Sequence, residues 1–233
     1  MRRLRRCFLK PLTGLPLASA SLLKWAECLL SLSCRVRALA DLYVIAGVPG
    51  VGKTTIGSLA ARLMRTRFID LPDFVRSERL YTAYDRSSRS YVVDVRALSA
   101  ALGSFIREEA KPPILATHIA FKPRGCRVIR VVVLRKNPIA LLATLRSRGY
   151  PLRKVAANVT AELLDEQYVE FARKFGRPRV AQLDVTHLGR YEAAKRAERI
   201  LSSGSGGDVV DWFSSLEREN KLDKVLSFLS RYG

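Results

Sequence analysis

A glycine-rich segment near residue 50 carries the side chains best suited to chemistry. Residues 47–54 follow the pattern G-x-x-x-x-G-K-T, with an apolar run of strand type before them and a helix-forming stretch after them. In that context the pattern is typical of a phosphate-binding loop, whose glycines let successive backbone N–H groups point inward at phosphates. The alternative is a Gly-rich turn with an incidental lysine, but every required position is filled. The segment therefore predicts binding of a nucleoside triphosphate.

Each residue of this loop has an expected role. Lys53 is expected to reach the β- and γ-phosphates, and Thr54 to offer its hydroxyl to Mg²⁺. Thr55 lies one residue further into the helix, where its hydroxyl can contact the α-phosphate. Gly50 and Gly52 allow the turns that present backbone N–H groups to the donor nucleotide. We therefore expect ATP and Mg²⁺ as cofactors.

The elements that must position this loop alternate between strand and helix. Five apolar strand candidates are separated by helical stretches, which is the pattern of a parallel sheet with helices on both faces. The sequence therefore predicts an α/β fold with a five-stranded parallel sheet. The strand candidates are 42–46, 67–70, 114–118, 128–134 and 180–183, and the helical candidates are 53–64, 95–109, 138–147, 152–174 and 189–201.

Net charge is the second feature that needs a reason. The 233 residues carry a formal charge of +20, and residues 1–41 hold eight Lys/Arg against two Asp/Glu, so +14 remains on the other 192. Nucleotide phosphates do not need that surplus. A nucleic acid or ribonucleoprotein partner would explain it, and so would a basic surface that only keeps the protein soluble.

Cysteine usage excludes one kind of metal site. The chain has four cysteines and no Cys-x-x-Cys pair, so a zinc-bearing lid is not expected. This usage fits the reducing cytoplasm, where we expect the protein to work.

The chain divides into four parts by composition. Residues 1–41 form a basic, apolar extension, interpreted as a mis-assigned start or a loosely ordered tail, with a signal peptide as the alternative. Its apolar stretch is too short and too charged for a membrane span. A catalytic domain is predicted over 42–201, a Ser/Gly linker over 202–207, and helices over 208–233 that pack against the domain rather than bind a partner.

Two insertions suggest how a second substrate is bound. Residues 70–92 contain a short helix with Asp73 and Arg76 on one face, followed by Tyr81, which suits a pocket for a monophosphate and its base. The alternative is a surface helix with an incidental salt bridge. In the second insertion, Arg148 precedes a glycine on a segment that could close over reacting phosphates and neutralise their charge.

These motifs together resemble the adenylate kinase isoenzyme 6 family. The resemblance runs in order and at matching spacing from about residue 42 to 185. It implies a P-loop nucleoside monophosphate kinase fold with a small NMP-binding insertion (70–92) and a short lid (147–157). The residues that carry it are 47–55, Asp73-Phe74-Val75-Arg76, Leu80-Tyr81, Tyr84-Asp85, Val93-Asp94, 131–135, Leu145, Arg148-Gly149-Tyr150, Lys154, Asn158 and Glu162.

The family's functions follow as expectations. Its members resemble broad-specificity nucleoside monophosphate kinases, which transfer the γ-phosphoryl group of ATP to AMP or another monophosphate. They also act as ATPases in late maturation of the small ribosomal subunit. The resemblance therefore implies a small-subunit ribosomal protein or pre-rRNA as partner, and no membrane. The alternatives are an assembly ATPase with vestigial kinase activity, and a kinase for a non-nucleotide acceptor.

One departure from the family pattern affects the metal. The family usually carries Asp-x-His after the third strand, with the Asp on the Mg²⁺ hydration shell, whereas this chain has Ala116-Thr117-His118. Thr117 or Thr54, with waters, would then hold the metal. Weaker metal binding or slower chemistry is the expectation. His118 either orients a water for ATP hydrolysis or caps the strand.

The expected reaction needs positioning and charge neutralisation rather than a general base, because a monophosphate oxygen is already anionic. We assign Lys53 and Arg148 to the transferring phosphoryl group, with His118 as a further catalytic candidate. Residues 184–187 are expected to flank the adenine. The acceptor side is assigned to Asp73, Arg76 and Tyr81.

Overall fold

The computed structural model describes residues 39–85 and 90–233. Its centre is a parallel sheet of five strands in the order β2-β5-β1-β6-β7, which confirms the predicted α/β fold. An antiparallel hairpin, β3–β4, lies outside this sheet. The strands are β1 (Ala40–Ala46), β2 (Phe68–Asp70), β3 (Tyr81–Asp85), β4 (Ser90–Val93), β5 (Ile114–Ala116), β6 (Cys126–Arg135) and β7 (Val180–Asp184).

The helices of the described residues connect these strands and follow the last one. Two predicted helices, 53–64 and 138–147, have the predicted bounds. The helices are α1 (Lys53–Met64), α2 (Leu71–Ser77), α3 (Val95–Glu108), α4 (Pro138–Ser147), α5 (Leu152–Leu163), α6 (Glu166–Phe175), α7 (Arg190–Ser203), α8 (Trp212–Arg218) and α9 (Leu222–Tyr232), with a 3₁₀ turn at Arg177–Arg179. No helix of this part of the chain is both long and apolar enough to span a membrane.

Each face of the sheet is buried in its own apolar cluster. Successive strand residues point to opposite faces, so Val44 and Ile45 of β1 enter different clusters. One cluster includes residues of α1, α4, α5 and α7, and the other includes residues of α2, α3 and α6. Because all five strands are parallel, their carboxyl ends meet at one edge, where ligands bind in open α/β sheets.

The predicted helix 152–174 is wrong as a single element. The chain breaks after Leu163, and Asp165 adopts a left-handed conformation with φ 57° before α6 begins. In a continuous helix the Glu162 carbonyl would accept the N–H four residues later, whereas in this chain it accepts the Asp165 N–H at 3.3 Å. Here the Arg135 guanidinium donates to that carbonyl at 2.9 Å and also to the Asp165 carboxylate. The hydrogen bonds from Arg135 of β6 therefore stabilise a turn at this point, where the sequence predicted a continuous helix.

Both ends of the predicted catalytic domain differ slightly from the sequence interpretation. β1 begins at Ala40, which pairs with Cys126, two residues before the predicted start. The rest of the N-terminal extension lies outside the described residues. At the other end, α7 continues through Ser203, so the linker prediction is wrong for its first two residues, and Gly204 at φ 78° ends the helix.

Candidate active site

The phosphate-binding loop connects the carboxyl end of β1 to α1. Gly47 has φ 139°, and a Cβ there would lie 2.6 Å from the Leu134 carbonyl oxygen, so the loop can lie this close to β6 only with glycine. Gly52 is the N-cap of α1 in a left-handed conformation, with φ 105°. The sequence motif therefore folds into the loop-to-helix geometry that presents backbone N–H groups to anions.

Lys53 is folded back onto this loop. Its amine donates hydrogen bonds to the carbonyl oxygens of Gly47 at 2.8 Å and Val48 at 3.0 Å. Burial lowers the pKa of Lys53 to about 8, although the negative charges of Asp70 and Glu162 oppose the shift. The lysine is thus held in the loop as a partly desolvated cation that a phosphate group would stabilise.

Thr54 contacts a carboxylate that the sequence interpretation did not assign. Its hydroxyl donates to Asp70 Oδ2 at 2.6 Å. Asp70 ends β2 and lies opposite Ala116 of β5 in the strand register. Ala116 is the position at which the family that the chain resembles usually carries an aspartate.

The donor set beside the loop fits Mg²⁺. The Thr54 hydroxyl and the Asp70 carboxylate are oxygen donors, which Mg²⁺ prefers, and nucleotide phosphates and water would complete its shell. Within residues 39–85 and 90–233 there is no cluster of three or more His, Cys, Asp or Glu suited to a metal. Thr117 is a poor candidate because its side chain is buried and its hydroxyl donates to the Ile119 carbonyl at 3.2 Å.

The turn between α4 and α5 brings an arginine to the loop. Arg148 is the C-cap of α4, and Gly149 follows in a left-handed conformation with φ 68°. Arg148 and Tyr150 line a cavity of about 250 Å³ together with the phosphate-binding loop. The sequence-predicted residues gathered around this cavity are Gly50, Gly52, Lys53, Thr54, Thr55, Thr117, His118 and Arg148.

His118 lies on the wall of the same cavity as a neutral side chain. Burial, followed by the positive charges of Lys53 and Lys154, lowers the pKa of His118 to about 4, and Asp70 opposes the shift. At neutral pH the imidazole therefore carries no charge and can accept or donate a hydrogen bond. It cannot supply a cation to the site.

The predicted acceptor-side residues do not line this cavity. Asp73 and Arg76 form an exposed ion pair on α2, as the spacing of three residues predicts. Tyr81 is partly exposed on β3, with its ring 4.6 Å from that of Tyr91 across the hairpin. Tyr81 lies within the predicted insertion, on a β3–β4 hairpin that the sequence did not predict.

The predicted adenine-side segment lies at another cavity. Asp184 and His187 line a depression of about 400 Å³ with the start of α8. Thr186 is tied to the start of α4, because its hydroxyl accepts the Asn137 N–H at 2.8 Å. This contact fixes the segment after β7 beside the end of β6.

Behind the site lies a buried ion pair that the sequence did not predict. Arg135 and Glu162 are each 1% exposed, with Arg135 Nε donating to Glu162 Oε1 at 2.8 Å. The same oxygen accepts from the Trp212 indole at 2.8 Å and from the Lys136 N–H at 3.1 Å. A sequence signal existed, because an arginine ends an apolar strand and a glutamate lies among the buried positions of a helix.

Comparison with known proteins identifies the family of this chain. A family model described as an AAA domain matches residues 44–165, just over half of the chain. A protein of Methanocaldococcus jannaschii named "Putative adenylate kinase" is 34% identical over 169 residues, which cover 72% of this chain and 90% of the relative. One of the same name from Sulfurisphaera tokodaii is 31% identical over 194 residues, 80% of this chain and 95% of the relative.

Solved structures are more distant. A shikimate kinase from Acinetobacter baumannii aligns with a TM-score of 0.46 and 19% identity, covering 72% of this chain and 95% of that one, which is too low to carry an argument. The family model and the archaeal relatives show the family without these structures. The chain belongs to the AAA-domain family and, over most of its length, to the same nucleotide-kinase-like family as these archaeal proteins.

Proposed function

We propose that the protein is a nucleoside monophosphate kinase that transfers the γ-phosphoryl group of ATP to AMP or another monophosphate. The observation that carries this proposal is the cavity shared by the phosphate-binding loop and the α4–α5 turn, which gathers Lys53, Thr54 and Arg148. Phosphoryl transfer needs positive charge around the transferred group and little covalent chemistry. The names of the archaeal relatives support the same reaction class.

Charge neutralisation would be divided between two elements. Lys53 would exchange its carbonyl partners for β- and γ-phosphate oxygens, and Arg148 would approach the transferred group from the turn. Thr54 would offer its hydroxyl to Mg²⁺, which when bound neutralises and orients the donor phosphates. His118, uncharged, would orient a water or a substrate oxygen. These roles rely on positioning and electrostatics, as the reaction requires.

The acceptor would enter beside α2 and the β3–β4 hairpin. Arg76 is bound to Asp73 without a substrate, so binding of a monophosphate would have to open this exposed pair. Such exposed pairs contribute little stability and are readily exchanged for a phosphate. Tyr81 would then contribute an aromatic wall for the base.

A direct assay tests the proposed reaction. The purified protein is mixed with ATP, Mg²⁺ and each nucleoside monophosphate, and diphosphate formation is compared with ATP hydrolysis. The proposal expects diphosphates that depend on the acceptor. Hydrolysis without acceptor dependence would favour the rival function, an ATPase that acts in assembly of the small ribosomal subunit. The net charge of +20 is the observation that favours this rival, and a ribosomal protein or pre-rRNA would then be sought as partner.

Arg148→Ala is expected to lower kcat by about 10²-fold, because one donor to the transferred group is lost. The KM for ATP should change less, since the phosphate-binding loop remains intact. Steady-state kinetics of diphosphate formation measures both constants. Arg146→Ala is the matched control, because Arg146 is exposed on the last turn of α4 and does not line the cavity. Equal losses in both variants would contradict the role of Arg148.

Nucleotide affinity is expected to fall above pH 8. Burial lowers the pKa of unliganded Lys53 to about 8, and bound phosphates favour its charged form. Binding is therefore strongest below pH 8 and requires proton uptake above it, which weakens it by up to about tenfold per pH unit. Calorimetric titration with ADP between pH 7 and pH 9.5 measures the change. Lys53→Ala should remove this dependence, and a flat wild-type profile would contradict it.

A further inference from the structure

We infer that Asp70 supplies the carboxylate of the Mg²⁺ site that Ala116 lacks, so that the metal-binding group has moved from β5 to the neighbouring strand. The inference rests on the proposed function, because it assumes a Mg²⁺–nucleotide complex in the phosphate-binding loop. Three observations carry it: strand register, the contact to Thr54, and the charge of the cavity.

The strand register places Asp70 beside the vacant carboxylate position. Asp70 of β2 pairs with Ala116 of β5 in a parallel ladder, at the carboxyl end of both strands. Neighbouring strands lie about 4.8 Å apart, and paired residues project to the same face of the sheet. Both residues line the same cavity. The carboxylate of Asp70 on β2 therefore lies near the place that a carboxylate at position 116 of β5 would occupy, one strand spacing away.

The contact to Thr54 orients both groups for a cation. Thr54 Oγ1 donates its proton to Asp70 Oδ2 at 2.6 Å. The threonine oxygen keeps its lone pairs free for a metal, because its hydrogen is directed at the carboxylate. The second carboxylate oxygen of Asp70 is available to accept hydrogen bonds from metal-bound water. With Mg²⁺ bound, Thr54 would be the direct ligand and Asp70 would hold the metal through its water molecules.

No second carboxylate among the described lining residues of the cavity competes with Asp70 for a cation. Among the described residues that line it, Asp70 is the one with an acidic side chain. Glu162, the next acidic group that acts on Lys53, is buried and accepts hydrogen bonds from Arg135 and Trp212. Lys53 and Arg148 are cations and His118 is neutral. A divalent ion at Thr54 would have Asp70 as its protein carboxylate.

Metal binding to the full chain tests the inference without measuring turnover. Mn²⁺ serves as the probe, and its binding to the protein with the non-hydrolysable analogue β,γ-imido-ATP is followed by electron paramagnetic resonance. Asp70→Asn is expected to weaken Mn²⁺ binding by about 10- to 100-fold, as the loss of an outer-shell carboxylate does. Affinity for the analogue in EDTA should not fall, because removal of a negative charge favours the phosphates.

Two further variants make the outcome specific. Glu78→Gln removes an exposed carboxylate beyond the end of α2 and should leave Mn²⁺ affinity unchanged. Ala116→Asp, added to Asp70→Asn, should recover most of the lost affinity by returning a carboxylate to β5. Unchanged affinity in Asp70→Asn, or a loss that Ala116→Asp does not recover, would overturn the inference. A wild-type protein that does not bind the analogue would contradict the proposed function itself.

Discussion

Lys53→Ala is expected to lower kcat for phosphoryl transfer by about 10²–10³-fold or more, the largest effect of any single substitution in the site. The proposed function assigns this lysine to the β- and γ-phosphates, and among the described residues it is the one whose side chain donates to the Gly47 and Val48 carbonyls. Diphosphate formation at saturating ATP and acceptor measures the loss. Near-normal rates would rule out the assigned role.

The melting temperature of Lys53→Ala shows whether a loss of kcat reflects damage to the fold. The lowered pKa of Lys53 means that its charged form is disfavoured by folding below about pH 8, and this cost disappears as pH rises toward the unfolded value. Lys53→Ala should therefore not lower the melting temperature at pH 7. Lys111→Ala, which removes an exposed lysine from the turn before β5, is the matched control for kcat.

Glu162→Ala is expected to lower the free energy of unfolding by about 3–5 kcal/mol, because it removes the buried carboxylate partner of the Arg135 guanidinium and leaves the half-exposed Asp165 as the remaining one. Arg135 is 1% exposed, so water cannot replace the lost carboxylate. The Trp212 indole loses its acceptor in the same change. Equilibrium unfolding in urea measures the difference, read as a shift of the midpoint at constant slope.

Glu217→Ala is the matched control for this prediction. Glu217 is exposed on α8, close in sequence to Trp212, and its loss should change stability by less than about 0.5 kcal/mol. If Glu162→Ala loses no more than this control, the buried pair does not stabilise the fold as argued.

Local signals explain why two helices were predicted to the residue. Asn137 caps α4 by accepting the Ile139 N–H at 2.9 Å, and Pro138 follows at the first helical position. The start of α1 is likewise marked by an adjacent residue, because Gly52 is its N-cap. These signals lie within a few residues of the boundary, so the sequence contains them. The break after Leu163 depends on Arg135, which is distant along the chain and adjacent only after folding.

Some residues of the site could likewise be predicted from local sequence, and others could not. The phosphate-binding loop is a contiguous motif, and its roles could be assigned from spacing alone. The position of Asp70 could not, because its contact with Thr54 depends on which strand lies beside β5. The sequence showed that a carboxylate was missing at Ala116, but only the sheet order shows which neighbour could replace it.

The buried Arg135–Glu162–Trp212 contacts determine how the α4–α5 turn can move. They fix the carboxyl end of α5, whose 12 residues span about 18 Å. The other end follows directly from the turn that carries Arg148. Val155 and Val159 of the same helix are fully buried in the core, so α5 is held along its length. Closure of Arg148 over a nucleotide would therefore be confined to the turn itself, residues 148–151, and the helix behind it would stay in place.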